Sequence, residues 1–257
     1  MIKRIPREEL SRFEAICASL ASPLYQESDW IGIYNEKRVH RAIKRFVCED
    51  ENCFEVKVGS SVADVLSDNV IYEIQTGSFY PLTKKISTYL SSSDYEIRVI
   101  YPIISKRKIV RLDKDTGEIL RSRLSSAKQK PTKILPELIY LSENLKSRRL
   151  SFEIYSIYAE EHRYSDEIHR YRKSGRRDSE LFPISLEEVT VLETSDDFLS
   201  ILPEELISTG EPFTAAEFSK ATGIVGRRAY NALGGLCAAG VLGKEKEGKA
   251  AAKYFIL

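Results

Sequence analysis

The sequence predicts a mixed α/β sheet flanked by helices, followed by a small C-terminal unit of two helices and a hairpin. Three observations carry this. The hydrophobic period changes from about 3.6 to 2 after residue 53. Tyr95 to Ile104 (YEIRVIYPII) is almost continuously apolar, as a strand buried on both faces must be. Two short amphipathic patterns, each closed by a glycine, precede a last pair of β-prone runs. At 257 residues, 42% hydrophobic and 30% charged, the chain can bury one large core with a small appendage. Its composition excludes collagen-like, low-complexity and wholly disordered proteins.

The elements follow in order. Leu10, Phe13, Ile16, Cys17 and Leu20 recur at helical spacing after Pro6 and stop before Pro23. A second helix is expected from about Glu36 to Val47. At about 100° per residue, Glu36, His40, Ile43 and Val47 share one side, with His40 read as a packing residue at the border of the buried stripe. Phe54–Val58, Ser61–Leu66 and Val70–Gln75 then form a three-strand meander, with a turn at Ser67-Asp68-Asn69. Pro81 opens a helix through about Leu90. Ile109 to Arg123 reads as a hairpin turning at residues 113–117, Leu135 to Leu145 as a helix, and Leu150 to Tyr158 as an alternating strand. Residues 1–177 are expected to form the α/β domain and 178–210 an acidic helical connector.

Residues 211–257 carry sharper signals. Thr214-Ala215-Ala216-Glu217 is a capping box, and Phe213 and Phe218 occupy the positions of a hydrophobic staple. Gly223 closes that helix. Ala229, Ala232, Leu233 and Leu236 give the apolar face of the next, which ends at Gly240, and two β-prone runs follow. Helix, turn, helix and β-hairpin is a winged helix-turn-helix layout. Arg227, Arg228 and Asn231 lie at the start of its second helix, away from the apolar face, where DNA contacts are expected.

No run approaches eighteen apolar residues, and the first ten residues hold no apolar signal core, so neither a membrane span nor a secretory leader is expected. Four cysteines without a CxxC pair and three histidines without zinc spacing fit a reduced cytoplasm and no structural zinc. The net charge of +1 conceals segregation. Ile103 to Lys133 holds ten Lys/Arg against three Asp/Glu, and Arg170 to Arg177 adds five bases. Asp178 to Glu211 holds ten acids and no base. Such blocks predict a basic surface for a polyanion. Its candidate DNA-binding residues are Arg107, Lys108, Arg121, Arg123, Arg172, Arg176 and Arg177, together with Arg227, Arg228 and Asn231.

The chemistry is expected where the meander turns. Antiparallel pairing brings Asp64 opposite Glu73, and two carboxylates in a half-buried sheet repel each other unless a divalent cation sits between them. Hard oxygen ligands favour Mg²⁺ or Mn²⁺. Asp64 with Glu73-Ile74-Gln75, and Glu36 on the preceding helix, resembles the PD-(D/E)XK, or restriction-endonuclease-like, nuclease superfamily over about residues 35–104. The resemblance implies that Asp64, Glu73 and the Ile74 carbonyl hold the metal. It also implies that Gln75 orients water in place of the usual lysine and that Glu36 holds an outer-sphere water. Lys57 from the first strand, or Lys84 or Lys85 from the following helix, is the expected source of the missing ammonium. The literal Glu55-Val56-Lys57 has only Asp50 and Glu51 upstream, too close to form a preceding strand. The implied function is metal-dependent hydrolysis of duplex DNA, with a homodimer as the arrangement that cuts both strands. The rival reading is a DNA-binding or regulatory protein that keeps the scaffold without cleavage.

Overall fold

A computed structural model describes residues 2–21, 34–113, 116–165, 179–208, 210–246, 248 and 250–257, with only the backbone at 34–37 and 165. The elements are β1 (Ile2–Lys3), α1 (Arg7–Leu20), α2 (Tyr34–Val47), β2 (Phe54–Val58), β3 (Ser61–Ser67), β4 (Val70–Ile74) and α3 (Leu82–Ser92). Then come β5 (Glu96–Asp113), β6 (Ile119–Leu124), a 3-10 helix (Pro131–Leu141), β7 (Leu150–Ser165) and β8 (Ser179–Leu192). The chain closes with α4 (Ser195–Ser200), α5 (Glu204–Ile207), β9 (Phe213–Thr214), α6 (Ala215–Thr222), α7 (Arg227–Ala238), β10 (Leu242–Glu245) and β11 (Lys253–Ile256).

The main sheet runs β1-β8-β7-β5-β4-β3-β2, and β6 pairs with β5 beyond the point where β4 leaves it. β4, β5 and β7 are parallel; the outer pairings are antiparallel. Parallel strands need cover on both faces. On β5, Ile97, Val99, Tyr101 and Ile103 pack into a core with α3, the 3-10 helix and the C-terminal unit. Ile100 and Ile104 pack oppositely, with α1 and α2. The protein is therefore a mixed α/β fold with a mixed sheet between helical layers. Among the described residues no helix is long and apolar enough to cross a membrane.

The meander agrees with its sequence: Asp68 (φ 50°) and Asn69 (φ 66°) form the tight turn, residue types that tolerate the left-handed region. The capping box at Thr214 and Glu217 is formed, the rings of Phe213 and Phe218 lie 6.5 Å apart, and Gly223 closes α6 at φ 74°. The segment expected as a helical connector is different. Residues 179–192 form β8, paired antiparallel with β7, and only 195–200 and 204–207 are helical. Val189, Thr190 and Val191 favour a strand, and Pro183 sits at a register irregularity, where a missing N–H is tolerated. The helix expected over 135–145 is a 3-10 helix instead. Its buried Thr132, Leu135, Leu138 and Leu141 recur at intervals of three, the period of that helix.

The C-terminal unit shares a continuous core with the sheet, because Phe218, Leu233, Leu236 and Tyr254 belong to the cluster of Phe79, Leu135 and Phe152. α7 lies against the 3-10 helix. A Cβ on Gly235 would stand 2.8 Å from Leu138 Cβ and 3.1 Å from the Ile139 backbone nitrogen, whereas one on Gly234 would meet only the tip of Ile139, at 3.1 Å. Gly235→Ala should therefore push α7 off its seat and cost about 1–3 kcal/mol in a urea titration. Gly234→Ala, opposed by a flexible side-chain end and gaining helix propensity, should cost less.

Candidate active site

Asp64 and Glu73 meet where the β3–β4 ladder stops. Its last regular pair is Val65↔Tyr72, and the next positions along are Asp64 and Glu73. There the Asp64 side chain takes over a backbone role: Ile74 N–H donates to Oδ2 at 2.8 Å. His40 of α2 lies against the same oxygen, Nε2 to Oδ2 3.3 Å. Oδ1 of Asp64 has no hydrogen-bond partner among the described residues. Glu73, 2% exposed, is held from α3 on both oxygens. Lys85 Nζ donates to Oε2 at 2.7 Å and Tyr89 O–H to Oε1 at 2.7 Å. Lys85 and Tyr89 stand one helical turn apart and so share a face of α3.

The electrostatics separate the two acids. Burial pushes Glu73 up to about 7, the Asp64 charge adds to this, and Lys85 and Tyr89 offset only part of it. Burial acts on Asp64 in the same direction, but the hydrogen bond and charge of His40, the Ile74 N–H and the Lys85 charge together hold it below the usual carboxylate range. Burial, and then the Glu73 charge, raise the Tyr89 phenol, so it remains a donor. Near neutrality the pair thus holds one firm anion and one carboxyl poised between its two states.

Two hard carboxylates side by side suit a divalent cation in kind. Among the described residues no group of three or more His, Cys, Asp or Glu is placed to hold a metal. Glu36, the third acid expected, lies in α2 four residues before His40, and its side chain is outside the described set. Ile74, through its N–H, is already tied to Asp64. Gln75 does not turn toward the acids: its Nε2 donates to the Ser78 carbonyl at 2.8 Å, bracing the loop after β4. Lys57 is exposed on β2 opposite Val62, and the ammonium that meets Glu73 belongs to Lys85. His40 and Tyr89 are the residues sequence reading left out of the site. A tyrosine on the apolar face of a helix needs a partner for its hydroxyl, and this was the available signal for Tyr89.

The basic residues divide. Arg107 and Lys108 are engaged by Glu161 (3.1 Å) and Glu160 (2.9 Å), while Arg121 and Arg123 lie on β6, exposed along its whole length. Arg227 and Arg228 are exposed at the start of α7, Arg228 standing 3.9 Å from Glu137, and Asn231 is half-buried. Arg172, Arg176 and Arg177 lie outside the described residues.

The raised Glu73 fixes a pH dependence. Its folded form binds a proton more tightly than the unfolded chain, so its contribution is complete below about 4.5 and is lost as pH rises through about 7. Metal-free protein should lose stability over that window by on the order of 3 kcal/mol in urea titrations. Glu73→Gln, which keeps an acceptor but no charge, should flatten the profile.

Residues 37–193 match the model of a family described as a domain of unknown function, DUF8091. No curated protein and no solved structure matches the chain. The matched span takes in His40, Asp64, Glu73, Lys85 and Tyr89 together with all of β5 to β8, and it ends before α4. It covers more than half of the sequence, and the chain belongs to the DUF8091 family.

Proposed function

We propose that the protein is a metal-dependent phosphodiesterase acting on DNA, built on a restriction-endonuclease-like core with a C-terminal winged helix. The observation that carries this reading is the acid pair with its lysine: Asp64 and Glu73 follow the last paired rung of the β-meander, near enough for the charge of one to act on the other, and Lys85 sits on Glu73 at 2.7 Å. Asp64, Glu73 and the Ile74 carbonyl would hold Mg²⁺ or Mn²⁺. A bound ion of this kind lowers the pKa of a water and neutralises phosphate charge. Lys85 supplies from α3 the ammonium that the superfamily usually carries where Gln75 stands. It is 30% exposed and reaches solvent from the buried carboxylate. His40, against Asp64, orients that acid and is placed to take or return a proton. The exposed bases of β6 and of the first turn of α7 serve phosphate binding.

A second reading is favoured by one specific observation. Both oxygens of Glu73 and Oδ2 of Asp64 are satisfied by protein donors, so the pocket is a closed hydrogen-bond network without any ion. A protein that binds DNA without cutting it would keep such a network for stability alone.

Asp64→Asn separates the two, because it removes the charge while keeping an acceptor for the Ile74 N–H. Under the first reading, wild type nicks a supercoiled plasmid with Mg²⁺ or Mn²⁺ and shows an Mn²⁺ site by calorimetry, and Asp64→Asn loses both. Mn²⁺ affinity should also rise with pH through about 7, because the ion competes with the Glu73 proton, which binding would release to solvent. A wild-type protein with no Mn²⁺ heat and no nicking would assign the acids to stability.

A further inference from the structure

Far along the sheet, the distal half of β5 lies between β6 and β7. The registers place Arg111 opposite Arg121 of β6 and level with Arg163 of β7, three arginines in one row across three adjacent strands. Neighbouring backbones in such a row are about 4.8 Å apart. Arg123 is opposite Ile109 in the preceding part of the same ladder, and the four arginines with Ile109 line one shallow pocket. Ile109 is only 5% exposed although β6 beside it is exposed throughout, so the arginine stems cover it while their guanidinium groups reach solvent.

Like charges directly opposite across a ladder destabilise a sheet. Just before this row the bases are paired, Arg107 with Glu161 and Lys108 with Glu160, and within the row Arg163 shares Glu161 through its Nε at 2.7 Å. Arg111, Arg121 and Arg123 have no acidic partner among the described residues. Three uncompensated guanidinium groups thus converge on this pocket with Arg163, and a guanidinium fork matches a pair of phosphate oxygens.

We propose that Arg111, Arg121, Arg123 and Arg163 form a phosphate-binding site for the backbone of duplex DNA, separate from the acid pair. The proposal rests on the nuclease reading for its choice of polyanion. Ile74 is level with Ile100 on β5, so Arg111 stands eleven residues further along that strand, roughly 35 Å from the acid pair. That is about one helical turn of B-form DNA. A duplex lying along the sheet presents the same strand to both places, one turn apart.

The test is an anisotropy titration of the full-length protein with a labelled duplex of about 30 base pairs, in EDTA, at several salt concentrations. Wild type and Arg121→Ala/Arg123→Ala are compared. The double variant should bind about tenfold or more weakly near 0.1 M salt, and its log-affinity against log-salt slope should be shallower by about 2. Its melting temperature should not fall, since the change relieves repulsion. Equal affinity and equal slope for the double variant and wild type would overturn the site, as would failure of wild type to bind at low salt. If wild type binds through these arginines yet nicks no plasmid, the catalytic reading falls and the phosphate site stands.

Discussion

The parallel ladder between β5 and β7 governs this molecule. It runs from Ile97↔Leu150 to Asp113↔Ser165 with one irregularity near Ser105. A parallel ladder of this length cannot leave a face to water over its apolar half, so two helical layers are obligatory. α1 and α2 close one side; α3, the 3-10 helix and the C-terminal unit close the other. Beyond residue 105 the same strands carry more charge, while Ile109, Val110 and Leu112 stay buried and Arg38 of α2 still reaches Glu180 and Phe182 of β8. One continuous pairing therefore supplies a buried scaffold at one end and a charged surface at the other. The acid pair sits where β4 runs alongside the buried end, and the arginine row where β6 replaces β4.

Against that scaffold the acid pair is an expense the fold manages locally. A carboxylate as buried as Glu73 is costly unless paired and hydrogen-bonded. α3 answers with Lys85 and Tyr89 on one face, while α2 and the Ile74 amide answer for Asp64. The donors come from elements on opposite sides of the sheet, so the site depends on both helical layers being in place. Interruption of the β3–β4 ladder at this point is the same event: Asp64 accepts the amide that a strand carbonyl would otherwise take. Charge is thus concentrated at a place that packing alone would have made apolar.

Much of this was legible in the sequence, and what was not has physical reasons. The period-two runs and the Ser67-Asp68-Asn69 turn located the meander and its last rung, Val65↔Tyr72, beside which Asp64 and Glu73 stand, because strand alternation and a two-residue turn leave little freedom. The capping box at Thr214 and the staple of Phe213 on Phe218 were equally local and equally readable. β8 was not, since acids and Pro183 masked a strand whose main support is its tertiary pairing with β7. The interval of three in Thr132, Leu135, Leu138 and Leu141 was present in the sequence but was read as the commoner helix. At the site, Gln75 kept its expected strand position yet turned its amide to Ser78, and Lys85 rather than Lys57 reached Glu73. Side-chain direction at the end of a strand is set by neighbours that periodicity does not describe.

The C-terminal unit illustrates how packing narrows function. α7 seats Gly235 against Leu138 and buries Ala232, Leu233 and Leu236 in the core it shares with the sheet. Its inner face is thereby committed to the fold, and the part left to a partner is the first turn, where Arg227, Arg228 and the 63%-exposed Tyr230 stand. The preceding turn adds the exposed Val225. Two cations and an aromatic ring on the first turn, one of the cations 3.9 Å from Glu137, therefore make up the exposed end of a helix whose other face is core. The DUF8091 match ends at residue 193, so this turn lies outside the family's span while the acid pair and the arginine row lie inside it. The family span thus contains the acid pair and the arginine row of the sheet, and the C-terminal unit adds a second basic surface while completing one face of the core.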